Sequence, residues 1–108
     1  MDIQLTTLGK AAVIALKGDL DFNSYKEFET VLESSLDQEY SPVVVEISGV
    51  PHIDSMGLGT ITRYWKQAAQ QNSLLHIAGA RKNVLSMINL VNLDKRIKLF
   101  DSVDEALA

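Results

Sequence analysis

The chain has 108 residues, a formal charge of −4 and no cysteine, and these properties exclude several classes of protein. The length suits one domain that buries a sizeable core without disulfides, and without cysteine there is no thiolate metal site. The acidic balance argues against nucleic acid as a partner, because phosphate backbones are bound by clustered Lys and Arg side chains.

The start of the chain and its apolar runs bear on where the protein works. No apolar run approaches the roughly twenty residues that a membrane span requires. The opening residues, Met1 to Gln4, lack the basic segment and apolar stretch of a signal peptide. Because the absence of cysteine also fits a reducing compartment, we expect a cytoplasmic protein without membrane insertion.

The first half of the chain predicts a hairpin, a helix and a strand. Alternating apolar residues flank the turn Leu8-Gly9-Lys10, as in an antiparallel hairpin. Apolar positions then follow a helical period over residues 25–36, and Asp21 or Asn23 can cap this helix. The apolar run at 43–47 predicts a buried strand.

The second half predicts helices and strands in alternation. A helix with an apolar stripe is expected at 58–71 and a short strand at 74–78. Asn92 is a suitable left-handed cap for the third helix, and a last strand at 97–100 is followed by a capping box that begins at Ser102. The inner face of the third helix is predicted to consist of Val84, Leu85, Ile88 and Val91.

This order predicts an α/β fold. The sheet should be small, mixed and largely parallel, because strands separated by helices are joined by right-handed crossovers. The opening β-hairpin should lie at one edge, with the helices packed against the sheet. No internal repeat or composition shift divides the chain, so residues 1–108 are expected to form a single domain.

The segment from His52 to Gly59 is the strongest candidate for a functional site. It joins a predicted strand to a helix and places Asp54 or Ser55 at the helix N-cap. Helix N-termini favour anions, so the end of this helix suits a phosphate. Gly57 and Gly59 are expected to keep side chains away from the turn, so that a bulky partner can reach the Ser55 hydroxyl. Plain helix capping is the alternative interpretation, since Ser and Asp are common N-caps.

No set of residues in the sequence matches a known catalytic or cofactor site. His52 and His76 have no partner at metal-ligand spacing, and neighbours in one turn, such as His52, Asp54 and Ser55, cannot form a nucleophile–base–acid relay. The two glycines lack the remainder of a dinucleotide fingerprint, and there is no P-loop. We therefore expect no catalytic residue, no metal and no cofactor, and a chain that is a substrate or a binder rather than an enzyme.

The chain resembles the STAS domain in the form of the bacterial anti-sigma factor antagonist, also called anti-anti-sigma factor. The resemblance covers essentially all of the chain. The segments that carry it are Gly18-Asp19-Leu20-Asp21, Val43-Val44-Val45-Glu46-Ile47 leading to Ile53-Asp54-Ser55-Met56-Gly57-Leu58-Gly59, and Ile88-Asn89-Leu90-Val91-Asn92-Leu93.

The resemblance implies a switch between partners. Ser55 matches the hydroxyl that is phosphorylated by the anti-sigma factor, a serine kinase with a histidine-kinase-like ATPase fold. The unphosphorylated protein would bind this kinase and free the sigma factor, phosphorylation would abolish binding, and a metal-dependent Ser/Thr phosphatase would reset the system. Asp21 and Asp54 match acidic positions on the same surface, and with Met56 and Gly57 they form the predicted partner-binding set.

Met56 departs from the family pattern, in which Ser, Thr or Ala usually follows the phosphorylated residue. The thioether is either core filling or an exposed contact for the partner, and we favour partial burial. The departure leaves Ser55 as the only hydroxyl in the turn. Two other functions remain open: a STAS accessory subunit of a transporter complex, such as a lipid-transport ATPase, that is not switched by phosphorylation, and a nucleotide-binding sensor or weak hydrolase.

Overall fold

The computed structural model describes residues 1–108, and its strands and helices follow the predicted order. A short 3₁₀ turn, Leu93–Lys95, was not predicted. The elements are β1 (Asp2–Leu8), β2 (Ala11–Lys17), α1 (Tyr25–Asp37), β3 (Val43–Gly49), α2 (Ser55–Gln70), β4 (Leu75–Ala78), α3 (Lys82–Leu90), β5 (Lys98–Phe100) and α4 (Val103–Leu107). None of the helices is long and apolar enough to cross a membrane.

The sheet confirms the predicted mixed α/β fold. Its strands lie in the order β1-β2-β3-β4-β5, with β1 and β2 antiparallel and every other pair parallel. Because β3, β4 and β5 are parallel, the segments that follow their carboxyl ends lie at one end of the sheet. Beyond the last pair of β2 and β3, an isolated bridge between Leu20 and Ile53 keeps the two chain segments adjacent. This bridge brings the start of α2 against the loop that leads into α1.

The core lies on both faces of the sheet because apolar side chains alternate along the strands. On β3, Val43, Val45 and Ile47 face a large cluster that includes the inner sides of α1, α2 and α3. Val44 faces the opposite side, where a smaller cluster contains Ala106 of α4. The central strands are therefore buried on both faces, as expected of a parallel sheet covered by helices.

The third helix differs in one respect from its prediction. Val84 and Ile88 are fully buried and Leu85 is half-buried, but Val91 is 53% exposed. Helix α3 ends at Leu90, and Asn92 takes the left-handed conformation that was predicted for it, with φ of 60°. Because the chain turns at Asn92, Val91 does not pack against the sheet. The helical period therefore predicted one residue too many on the inner face of this helix.

Candidate functional site

Asp54 caps the N-terminus of α2. Its Oδ1 accepts hydrogen bonds from the backbone N–H groups of Met56 at 2.9 Å and Gly57 at 3.0 Å. The first amides of a helix have no partner within the helix, so this carboxylate satisfies two of them. Of the two residues predicted as the N-cap, the structure selects Asp54.

The same carboxylate connects α2 to the loop before α1. Its Oδ2 accepts a hydrogen bond from the backbone N–H of Phe22, at 3.0 Å. Asp54 is half-buried and both of its oxygens are engaged with backbone donors, while His52 is exposed. The carboxylate therefore fixes the local backbone, and it does not orient a histidine toward Ser55.

Asp21 organises the loop that Phe22 belongs to. Its Oδ1 accepts the backbone N–H of Asn23 at 2.9 Å, which closes a tight turn just before α1. The residue at the N-cap of α1 is Ser24, whose side chain makes no capping bond and instead donates to the carbonyl of Asp19 at 2.6 Å. The predicted capping of α1 by Asp21 or Asn23 is thus wrong, although Asp21 still shapes the approach to the helix.

Ser55 is the first residue of α2 and is exposed. The structure gives its side chain no hydrogen bond, because the neighbouring Asp54 takes the capping role. The hydroxyl therefore lies at the positive end of a long helix, is exposed to solvent and makes no hydrogen bond within the fold.

Gly57 and Gly59 have different surroundings. Gly57 is buried, and a Cβ atom there would lie 2.6 Å from the Leu20 carbonyl oxygen and 2.9 Å from Cγ1 of Ile53. Gly59 is exposed, and a Cβ there would meet nothing within 4 Å. The prediction that Gly57 keeps the turn open for a partner is corrected: this glycine lets α2 pack closely against the Leu20–Ile53 bridge.

Met56 is half-buried, in agreement with the favoured prediction for this residue. Its carbonyl accepts the Thr60 hydroxyl at 2.8 Å within the helix. The side chain is thus neither a full core residue nor a freely exposed one. Of the predicted partner-binding set, Asp21, Asp54 and Met56 lie partly exposed around Ser55, whereas Gly57 lies beneath it.

A surface cavity of about 360 Å³ opens beside Ser55. On its far side, Met87 and Val91 are 37% and 53% exposed, and on the other side of the turn Phe22 is 68% exposed. The sequence did not indicate these exposed apolar residues near Ser55, because its helical period predicts Val91 to be buried. The residues that line the cavity are Ser55, Leu58, Gly59, Thr62, Met87, Val91, Leu93 and Arg96.

The remaining titratable groups do not form a second site. No group of three or more His, Asp or Glu side chains is placed to hold a metal ion. His76 on β4 is buried against Phe100, and its Nδ1 atom has no hydrogen-bond partner. Burial lowers the pKa of His76 and the nearby Lys98 lowers it further, so the imidazole is neutral at pH 7.

Solved structures of similar fold come from proteins of several kinds. A structure from Thermotoga maritima, described provisionally as an anti-sigma factor antagonist, has a TM-score of 0.91 at 21% identity, over 97% of this chain and 91% of that one. The Bacillus cell fate determinant SpoIIAA has a TM-score of 0.76 at 15% identity in both its unphosphorylated and its phosphorylated form, over 98% of this chain and 94% or 96% of the other. At these identities the likeness shows the fold alone.

The same fold also occurs inside a much larger protein. The murine anion transporter Slc26a9 has a TM-score of 0.80 at 14% identity, covering 94% of this chain but only 18% of the transporter. The fold by itself therefore does not distinguish a regulator from a transporter module.

Sequence comparison identifies the family. A Thermotoga maritima protein provisionally named an anti-sigma factor antagonist is 27% identical over 77 residues, which span 71% of this chain and 68% of that protein. The family pattern described as the STAS domain matches residues 2–106, nearly the whole chain. With its mixed sheet and its Asp-Ser turn at the start of α2, the chain belongs to the STAS domain family.

Proposed function

We propose that this protein is an anti-sigma factor antagonist that acts by partner switching. Its unphosphorylated form binds an anti-sigma factor that is also a serine kinase with a histidine-kinase-like ATPase fold, and this binding releases the sigma factor. Phosphorylation of Ser55 abolishes binding, and a metal-dependent Ser/Thr phosphatase restores it. In this proposal the protein works in the cytoplasm as a substrate and binder, without a catalytic site of its own.

The observation that carries the proposal is that the Ser55 hydroxyl is exposed and makes no hydrogen bond. A capping serine would be held by its own hydrogen bond, but here Asp54 caps the helix and Ser55 is left exposed at its first position. The names of the Thermotoga relative and of the SpoIIAA structures, one of them of a phosphorylated form, support the same assignment.

Electrostatics favours a switch at an interface over a switch by unfolding. A phosphate adds about −1.5 to −2 charges, and a helix N-terminus stabilises such an anion by roughly 0.3–1 kcal/mol. The Asp54 carboxylate opposes it by about 1 kcal/mol per unit charge at 4 Å in water. For the whole charge of the phosphate this repulsion is about 1.5–2 kcal/mol before screening, and salt lowers it, so the net cost in the free protein stays below about 1 kcal/mol. In a desolvated interface the repulsion and the cost of burying the phosphate both increase.

The equal similarity of this chain to both forms of SpoIIAA fits such a mechanism. The TM-score is 0.76 for the unphosphorylated and for the phosphorylated structure, so phosphorylation there preserves the fold. A few kcal/mol at the interface are sufficient for regulation, because each 1.4 kcal/mol changes affinity tenfold.

The test is phosphorylation by the cognate kinase. We expect incubation with kinase and ATP to add one phosphate at Ser55, mapped by mass spectrometry, and Ser55→Ala to abolish incorporation while it retains kinase binding. Ser34→Ala, at an exposed serine of α1, is the matched control and should be phosphorylated like the wild type. Phosphate on another residue, or undiminished incorporation in Ser55→Ala, would refute the proposal.

A second candidate is a STAS subunit of a transporter complex, such as a lipid-transport ATPase, in which the turn packs against a partner and is not modified. The likeness to the domain within Slc26a9 is the observation that favours it. Co-purification from the native host separates the two: recovery of an ATPase or permease, unaffected by Ser55→Asp, supports the transporter function. A nucleotide-binding sensor is a third candidate. A calorimetric titration that detects no nucleotide binding in the micromolar range would exclude it.

A further inference from the structure

The cavity beside Ser55 is a groove between two parts of the chain. One wall is formed by α2, where Ser55, Leu58 and Thr62 follow one another on one side of the helix. At 1.5 Å per residue, Ser55 and Thr62 are about 10 Å apart along the helix axis. The other wall is formed by Met87, Val91, Leu93 and Arg96, and we call the whole surface the α2–α3 groove.

The second wall exposes apolar side chains that the fold could have buried. Met87 and Val91 are 37% and 53% exposed, and both line the groove. The exposure of Val91 follows from the end of α3 and the left-handed turn at Asn92, whereas Met87 lies within α3 next to the buried Ile88. Single exposed apolar residues are common on protein surfaces, but here two of them form one wall of a concave surface that also contains Ser55.

Arg96 gives the groove a charge at one end. Besides this groove, Arg96 lines a second cavity that contains Trp65 and Ala69, which follow Thr62 along α2. The guanidinium is therefore at the end of the groove away from Ser55. It has no intramolecular ion pair, since the salt bridge of this structure joins Arg63 to Glu29. Lys98 lines the same second cavity and makes this end of an otherwise acidic chain basic.

We infer that the α2–α3 groove is the docking site for the partner kinase, which inserts an apolar side chain between α2 and Val91 and places a carboxylate on Arg96. The inference rests on the proposed function and specifies its interface. The choice of a carboxylate follows from charge, because a free guanidinium binds carboxylates bidentately and a chain of charge −4 would otherwise repel an acidic segment.

The groove also explains how one phosphate can control the complex. In the unphosphorylated protein, the end at Ser55 has only the Asp54 carboxylate, which is bound to backbone amides, and the end at Arg96 is positive, so a partner segment has one favourable direction. Phosphate on Ser55 adds negative charge at the opposite end of the same groove, about 10 Å from Thr62 along α2. An acidic, partly apolar segment is then repelled and loses the space that its apolar side chain requires.

The test uses two pairs of neighbouring residues, one member of each lining the groove. Val91→Asp and Arg96→Glu change the groove, whereas Leu90→Asp and Lys95→Glu make the same changes at exposed positions outside its lining. We expect the groove variants to raise the Kd of the kinase complex at least tenfold and the control variants to raise it less than threefold. The Arg96→Glu effect should shrink as salt is raised, because salt screens the ion pair.

Thermal unfolding shows whether each variant is folded, so that a loss of binding can be attributed to the changed surface. All four positions are exposed, so each variant should unfold within a few degrees of the wild type, and Met87→Glu provides a second groove variant should Val91→Asp prove unstable. The docking assignment is overturned if the groove variants bind like the wild type, or if the controls weaken binding equally, while Ser55→Asp still abolishes it. Failure of the wild type to bind any kinase overturns the proposed function itself, and the groove assignment with it.

Discussion

At the residue scale, the Asp54 carboxylate holds three backbone amides, those of Phe22, Met56 and Gly57. It joins the loop before α1 to the first turn of α2, so its removal leaves donors unsatisfied in two elements. We expect Asp54→Ala to lower the free energy of unfolding by about 1–3 kcal/mol, measured by urea denaturation. Ser102→Ala, which removes the single cap bond of the short helix α4, is the control and should cost less. Equal losses would show that Asp54 acts only as an ordinary cap.

The two glycines of α2 form a second matched pair. In Gly57→Ala, the new methyl group would lie 2.6 Å from the Leu20 carbonyl oxygen, and we expect a loss of about 1–3 kcal/mol in unfolding free energy. In Gly59→Ala, the methyl group meets nothing within 4 Å, and the better helix propensity of alanine should add about 0.5–1 kcal/mol. Chemical denaturation of both variants measures the contrast, and a stable Gly57→Ala protein would contradict the close packing described for α2.

At the element scale, β4 carries a buried histidine that makes stability depend on pH. Burial, and then Lys98, lower the pKa of His76 in the folded protein below the value of about 6.5 in an unfolded chain. The unfolded state therefore binds more protons in acid, and the stability present above pH 6.5 should be lost as the pH falls through the folded pKa. The expected result is a lower thermal midpoint at pH 5 than at pH 7.5.

Two variants test whether His76 causes this dependence. His76→Leu removes the buried titrating group, so its midpoint should change less between the two pH values than that of the wild type. His52→Gln removes the exposed histidine and should leave the dependence unchanged. If His76→Leu loses as much stability in acid as the wild type, other groups are responsible.

The elements show which features could be predicted from sequence. The order of strands and helices follows from hydrophobic period and turn residues, which are local, and the caps at Asp54, Asn92 and Ser102 follow from local side-chain chemistry. Features that depend on contacts distant in the chain were missed. The bond from Phe22 to Asp54, the burial of Gly57 under Leu20 and the exposure of Val91 all depend on how α1, α2 and α3 meet.

At the scale of the whole molecule, the proposed switch requires a fold that tolerates a phosphate at Ser55. The Ser55 side chain makes no hydrogen bond, and its exposure allows water to screen an added charge. We therefore expect stoichiometric phosphorylation to change the free energy of unfolding by less than about 1 kcal/mol, a shift of a few degrees in the midpoint for a domain of this size. Differential scanning calorimetry of both forms measures this, and loss of the unfolding transition after phosphorylation would instead indicate an unfolding switch.

The affinity of the kinase for the two forms of the protein tests the proposed switch most directly. The direct measurement is titration calorimetry of the cognate kinase with the unphosphorylated protein and with the same protein phosphorylated at Ser55, at one salt concentration. We predict an increase in Kd of at least a hundredfold, equivalent to about 2.8 kcal/mol, when the phosphate is present. Equal affinity for the two forms would contradict the claim that Ser55 controls the interface.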